Sequence, residues 1–369
     1  MKISIPRTEL VSALGVATRA ISSRTTIQTL SGVSIETADG RLRLRATDME
    51  FGLQVELPVK VVSEGRVIVP GRLLLDVARS FGAEEVEFEH LTADQEVQLS
   101  GGSSTFRLRT LPLDDFPKLP SADGAKRLEL PAKAFIETIS RVARSASRDE
   151  TRPHLTGVLV SAADSDLRMV ATDSYRLSVK ETTLDAPLSE SLEANVPART
   201  LQELARIAAA AEVERIAIAA LENQVIFELD GVTLSSRLVE GRFPNYRQLL
   251  PESYEHELRI ASAELLDVVR RISLLAQKNV PLRLSLSDGE LEVSAITPDV
   301  GDAKESLPVP FKGEPFAIGF NPDFFRDGLE SAESEEIVLK LISPLRPGLI
   351  QSGEDSGFQY LVMPIRLNA

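Results

Sequence analysis

The chain has no cysteine and no tryptophan, only three histidines, and 5% aromatic residues in 369. Without cysteine there is no disulfide, no thiolate metal site and no cysteine nucleophile. His90, His154 and His256 lie far apart in the sequence with no metal-ligand spacing, so neither a metal nor a cofactor is expected. So few aromatics leave little material for stacking platforms that grip single-stranded nucleic acid. Long apolar runs are missing as well. The most apolar window, LARIAAAAEVERIAIAAL, is interrupted by Glu212, Glu214 and Arg215, which a bilayer centre rejects. MKISIPRTEL lacks the apolar stretch of a secretory signal, and a cytoplasmic location is the expectation. Catalytic motifs are equally scarce. SGGSS at 100–104 has no phosphate-loop lysine and reads as a hairpin turn. No serine stands in a nucleophile-elbow context, and the acidic runs EEVEFE and ESAESEE read as solvated faces. The expectation is a protein that is not an enzyme.

What the chain does have is repetition. LRLRATD at 42–48 is answered by LRMVATD at 167–173, and the similarity spreads outward from both. PRTELVSALGVATRA matches PAKAFIETISRVARS, and Leu-Ser-Gly-Val at 30–33 matches Leu-Thr-Gly-Val at 155–158. Downstream, Pro70 pairs with Pro197 and Pro117 with Pro244, each pair 127 residues apart. Two landmarks at one offset indicate duplication. A worn third copy runs from ASAELLDVVRRISLLAQK to FAIGFNPDFFRDGLESA, with AITPD where the others have Ala-Thr-Asp. Boundaries fall in the polar, proline-bearing stretches PKLPSADGAKR and PESYEHE, giving domains at 1–122, 123–253 and 254–369. Period-two alternation in VEFEHL, RIAIAALENQVIFEL and GELEVSA marks strands, while PGRLLLDVARSF and PARTLQELARIAAAA carry helical spacing. Each copy is therefore an α+β unit with two helices over antiparallel sheet. A hydrolase using Asp48 or Asp173 needs a partner base that the sequence does not show. The two aspartates sit in matching turns, which favours a role in fixing the corner.

A net charge of −14 argues against nucleic acid unless the cations are gathered. They are. The helices of copy one carry Arg7, Arg19, Arg72 and Arg79, with Arg24 in the loop between. Copy two supplies Lys133, Arg141, Arg144, Arg148, Arg152, Arg199 and Arg206, and copy three Arg270, Arg271 and Lys278. The last helix, with Asp323, Asp327 and Glu330, breaks the trend. A basic helical side would meet duplex phosphates without reading bases.

ATDSYRL, VEGRFPNYRQLLP, FAIGFNP and the terminal YLVMPIRL, in this order along the whole chain, closely resemble the sliding-clamp family, the bacterial DNA polymerase III beta subunits. The resemblance implies three tandem copies of a DNA-clamp domain and two chains closed head to tail into a homodimeric ring. It implies a processivity factor that encircles duplex DNA, slides without sequence preference and tethers the replicative polymerase. At positions matching the family, DNA contacts are Arg24, Arg72, Arg152 and Arg199, with Arg148 and Lys278 as additions. A pocket for short linear peptides from the DNA polymerase III catalytic subunit, clamp loader and other replication and repair proteins falls on Leu155, Thr172, Tyr175, Arg176, Leu177, Pro244, Leu249, Val362, Met363, Pro364, Ile365 and Arg366. The joint between chains falls on Phe106, Leu108, Leu73 and Val77 facing Leu274 and Leu275. The alternative is a DNA-independent peptide-binding scaffold whose arginines serve only as solvated faces.

Overall fold

A computed structural model describes residues 1–22, 26–276, 280–353 and 357–367. Among them are six α-helices: α1 (Arg7–Ala17), α2 (Gly71–Ser80), α3 (Ala132–Val142), α4 (Ala198–Ala211), α5 (Ser262–Ser273) and α6 (Pro322–Ala332). Apolar spacing explains which face each buries. In α5, Leu265, Val268, Val269 and Ile272 are buried, one stripe at positions i, i+3, i+4 and i+7. In α2, Leu74, Leu75, Val77 and Ala78 turn inward while Arg72, Leu73, Asp76 and Arg79 face solvent. Strands Lys2–Pro6 and Gly65–Pro70 both end on proline, and a helix starts at the next residue. Proline donates nothing to a sheet ladder, so it suits a strand's end. α6 is capped differently: the Phe324 N–H donates to Asn321 Oδ1 at 3.1 Å, and Pro322 occupies the first turn.

The chain divides into two compact units, 1–132 with 203–238, and 133–202 with 239–369. The first contains a five-stranded sheet in the order Lys60–Ser63, Lys2–Pro6, Glu85–Leu91, Glu96–Gly101, Ser104–Arg109. Its eight-stranded sheet runs Leu128–Pro131, Arg215–Ala220, Gln224–Leu229, Val232–Arg237, Phe51–Pro58, Arg41–Thr47, Gly32–Ala38, Gly65–Pro70. The second unit repeats the scheme. Its eight strands are ordered Leu192–Pro197, Gly157–Ala163, Asp166–Thr172, Arg176–Thr183, Phe358–Val362, Gly348–Ser352, Glu336–Leu341, His256–Ala261. Its five are Gly301–Pro308, Glu290–Thr297, Leu282–Ser287, Phe316–Phe320, Pro364–Ile365.

Each eight-stranded sheet takes four strands from one copy of the repeat and four from the next. Phe51–Pro58 of copy one pairs antiparallel with Val232–Arg237 of copy two, Leu53 opposite Leu234. Arg176–Thr183 of copy two pairs with Phe358–Val362 of copy three, Arg176 opposite Val362. The three α+β copies read from the sequence are present, yet copy two is shared between the units because the backbone ladder continues across its borders. The five-stranded sheets contain the halves left over. Ser104–Arg109 stands in its copy where Val232–Arg237 and Phe358–Val362 stand in theirs; Gly301–Pro308 corresponds to Phe51–Pro58 and Arg176–Thr183. Both are edge strands.

The core that matters most for the site lies in the second unit, where Phe320 and Phe325 stack at 5.2 Å beside buried Phe358 and Tyr360. Burying one such ring contributes about 1.5–3 kcal/mol. α6 approaches this core at Gly328, where a Cβ would come within 2.6 Å of the Tyr360 ring. Glycine there lets the helix settle onto the tyrosine.

Candidate functional site

The two Ala-Thr-Asp corners have the same construction. Thr47 Oγ1 donates to the Phe51 carbonyl at 2.8 Å and accepts from the Met49 N–H at 3.0 Å. Thr172 Oγ1 does likewise with the Arg176 carbonyl at 2.7 Å and the Ser174 N–H at 3.2 Å. Asp48 Oδ1 accepts from the N–H groups of Glu50 and Phe51, and Asp173 Oδ1 from those of Tyr175 and Arg176, all between 2.8 and 3.1 Å. Met49 and Ser174 both adopt left-handed backbone, with φ of 81° and 79°. These carboxylates are occupied as turn acceptors, so Asp48→Ala should lower stability by about 1–2 kcal/mol. Asp173→Ala should cost more because its second oxygen binds Arg176. Chemical denaturation of both variants checks the order; equal losses would contradict it.

In copy two the corner is extended into a buried ionic cluster. Arg176 Nε donates to Asp173 Oδ2 at 3.0 Å, one terminal nitrogen to Asp327 Oδ2 at 2.6 Å, and the other to the Arg144 carbonyl at 2.8 Å. The guanidinium carbon lies 4.4 Å from the centre of the Phe324 ring, within cation–π range. Burial opposes its charge, but the Tyr360 hydroxyl and the Asp327 and Asp173 carboxylates hold its pKa above the usual arginine range. Burial likewise raises the Tyr360 phenol, which donates to the Phe324 carbonyl at 2.7 Å.

This cluster fixes one end of an apolar surface. Tyr175 is 60% exposed and stacks on Phe324 with centroids 6.4 Å apart. The Met363 N–H donates to the Tyr175 carbonyl at 2.9 Å, and Val362 lies opposite Arg176 in the ladder. Met363 and Leu249 are exposed, while Leu155, Thr172, Leu177 and Val362 are buried. Pro244, Pro364 and Ile365 are half-buried and Arg366 is exposed. Tyr246, on the one-turn helix Tyr246–Leu249, packs in one cluster with Leu177 and Leu361, which positions Leu249. Asp327, Phe324 and Tyr360 are the members that sequence reasoning missed. The available signal was Asp327, set aside as an acid on an otherwise basic pattern of helices.

The basic side is less free than its composition suggests. Arg144 reaches Glu330 at 3.0 Å and Asp327 at 3.7 Å, and Arg270 reaches Glu330 at 2.9 Å. Arg271 pairs with Glu305 at 2.6 Å, and Arg19 with Glu203 at 2.9 Å. Arg141 is buried, donating to the Ala332 carbonyl at 3.1 Å and facing Glu137 and Glu333. Among the described residues, Arg72 and Arg148 are exposed with no ion-pair partner, and Arg199 is exposed. Arg152 is half-buried, bound to Asp149 at 2.9 Å and to Ser174 Oγ at 3.1 Å, which ties the 148–155 loop to the Tyr175 corner. Arg24 and Lys278 lie outside the described residues.

Exposed apolar side chains gather beside the two edge strands. Next to Ser104–Arg109, Phe106 meets Phe81 edge-on at 5.3 Å yet stays partly exposed, and Leu73 is exposed; Val77 and Leu108 are buried. Next to Gly301–Pro308, Leu274 is 83% exposed, with Ile296 and Val300 also exposed. Leu275 is half-buried, and its carbonyl accepts from the Thr297 hydroxyl. Ile296 and Val300 were not singled out from the sequence; the outward phase of Ile296 in its strand was the clue.

No group of three or more potential ligand side chains is placed to hold a metal among the described residues. None of the described helices is long and apolar enough to cross a membrane.

The chain matches the DNA polymerase III beta subunit family in all three of its domains: N-terminal over residues 1–120, central over 129–245 and C-terminal over 247–366. It is 32% identical, over an alignment 379 positions long, to the beta sliding clamp of Streptomyces coelicolor, with all of both chains covered. Its fold is similar to that of the DNA polymerase sliding clamp from Bacillus subtilis, with a TM-score of 0.92, 28% identity and full coverage of both chains. It is also similar to a sliding clamp from Pseudomonas aeruginosa bound to griselimycin, with a TM-score of 0.91, 26% identity and full coverage of both.

Proposed function

The chain belongs to the DNA polymerase III beta subunit family and is a DNA sliding clamp, a processivity factor in replication, and from that premise we propose that two copies close head to tail around duplex DNA. One observation carries the proposal. Inside the chain, each strand equivalent to Ser104–Arg109 is already paired with a strand equivalent to Gly301–Pro308, and only these two outermost members are edges. An unpaired edge is a template for another chain. Antiparallel pairing of Ser104–Arg109 with Gly301–Pro308 of a second copy reproduces the internal junction. It covers Phe106 and Leu73 with Leu274, Ile296 and Val300, and a twofold axis generates two such joints.

On this reading the three domains span 1–122, 123–253 and 254–369. Arg72, Arg148, Arg152 and Arg199, together with Arg24 and Lys278, meet duplex phosphates. Few unneutralised cations suit the task, because weak phosphate contacts permit sliding while closure prevents loss. The protein catalyses nothing and works in the cytoplasm, where the chromosome is copied. The surface at Tyr175, Leu249 and Met363 takes short apolar peptides from the polymerase catalytic subunit, the clamp loader and repair proteins. Exposed methionine and aliphatic groups adapt to related ligands, and a similar clamp binding griselimycin supports a ligand site on this fold. Loaded onto a nicked circular plasmid, the protein should stay bound through gel filtration and leave when the plasmid is linearised. Equal retention on both forms would refute topological binding.

A further inference from the structure

The second unit contains a cavity of about 450 Å³ between its eight-stranded sheet and the segment 241–247. We propose that this cavity binds an acidic stretch of a partner polypeptide. Arg242 and Arg247 line it, both are exposed, and neither has a carboxylate partner among the described residues. Arg247 lies 5.8 Å from the Tyr246 ring centroid, while a third lining arginine, Arg168, is neutralised by Glu181 at 2.6 Å. Two unpaired guanidiniums on one wall, in a chain of net charge −14, form a local site for carboxylates.

The same wall carries unmet acceptors. Asn195 is only 8% exposed; its amide nitrogen donates to the His154 carbonyl at 3.1 Å. Its Oδ1 is buried with no hydrogen-bond partner. Glycine at 157 leaves room for this oxygen, since a Cβ there would come within 2.1 Å of it. Glu193 lines the cavity as well, unpaired among the described residues. A phosphate, with its charge concentrated on one centre, is repelled by Glu193. A polypeptide with aspartate or glutamate side chains keeps its two kinds of group apart: carboxylates go to Arg242 and Arg247, and backbone N–H groups to the exposed Glu193 carboxylate. The volume lies within the range of peptide and small-ligand pockets. Pro244 lines this cavity and belongs to the apolar peptide surface too, but the inference stands independently of what that surface binds.

The probe is fluorescein-labelled tetraglutamate, measured by anisotropy against the full-length protein at low ionic strength. The wild type should bind it. Arg242→Glu/Arg247→Glu should bind at least about tenfold more weakly, with an unchanged circular dichroism spectrum. Arg283→Glu/Lys312→Glu, the same charge change elsewhere, should bind as the wild type does, and tetraglutamine should not bind. No binding to the wild type overturns the proposal, as does equal binding to the Arg242/Arg247 variant. So does displacement by inorganic phosphate at the concentration at which unlabelled tetraglutamate displaces the probe, which would mark a plain anion site.

Discussion

Leu274→Asp is expected to yield a well-folded chain that elutes as a 40.2 kDa monomer, where the wild type elutes at twice that mass. Leu274 is 83% exposed in the single chain, so a carboxylate there disturbs no core. At the proposed joint it would be desolvated opposite Phe106 and Leu73. Central interface positions of this kind typically cost at least about 2 kcal/mol when disrupted. Both joints of a twofold ring carry the substitution, giving roughly 4 kcal/mol, about a thousandfold in dimer affinity. Retention on circular DNA should vanish with the dimer. Light scattering at micromolar concentration decides the matter, and a variant that remains dimeric would place the joint elsewhere.

Arg176→Ala is expected to destabilise the second unit by about 3–5 kcal/mol, the range for breaking a buried ion pair by removing one partner. Asp173 would lose its cation, Asp327 the nearer of its two, the Arg144 carbonyl a donor, and Phe324 its cationic neighbour. Arg176→Lys should recover little, because a single ammonium cannot reach groups now served by three nitrogens of a planar fork. The chain provides a selective probe. It has no tryptophan and four tyrosines, Tyr175, Tyr246, Tyr254 and Tyr360, all in the second unit. Tyrosine fluorescence during urea unfolding therefore reports that unit alone. Pairing Arg176→Ala with Asp327→Ala should give a double variant less destabilised than the sum of the singles, since contacting residues couple. Strict additivity would mean that the ion pair contributes nothing.

The parts of this molecule that were legible in the sequence are those governed by local pattern. Copies show themselves because helix and strand periodicities repeat at one offset. The Thr-Asp corners could be read because side-chain acceptors act within three residues. Partnership between distant elements left no such trace. Nothing local to Val232–Arg237 indicates that it will pair with Phe51–Pro58, since an inner strand and an edge strand alternate alike. The charge pattern misled for the same reason. Arg144 and Arg270 look like a basic face until α6 brings Glu330 between them. The acids of α6, an exception in one dimension, are counterions in three. Their effect should also be felt in acid. Although burial works against it, Arg270 and Arg144 hold the Glu330 carboxyl below the usual glutamate value. The stability it contributes is complete above about pH 4.3 and fades as pH falls through the lowered value.

Because every eight-stranded sheet is shared by neighbouring copies, the hereditary module and the cooperative module of this chain are out of phase. Excising the middle copy at its borders would not remove a bead from a string; it would tear both eight-stranded sheets down the middle and leave Phe51–Pro58 and Phe358–Val362 as raw edges. Lengthening is a different matter: the connections between copies run largely through exposed, irregular chain and carry none of the shared ladders, so the architecture forgives insertion there and forbids cutting.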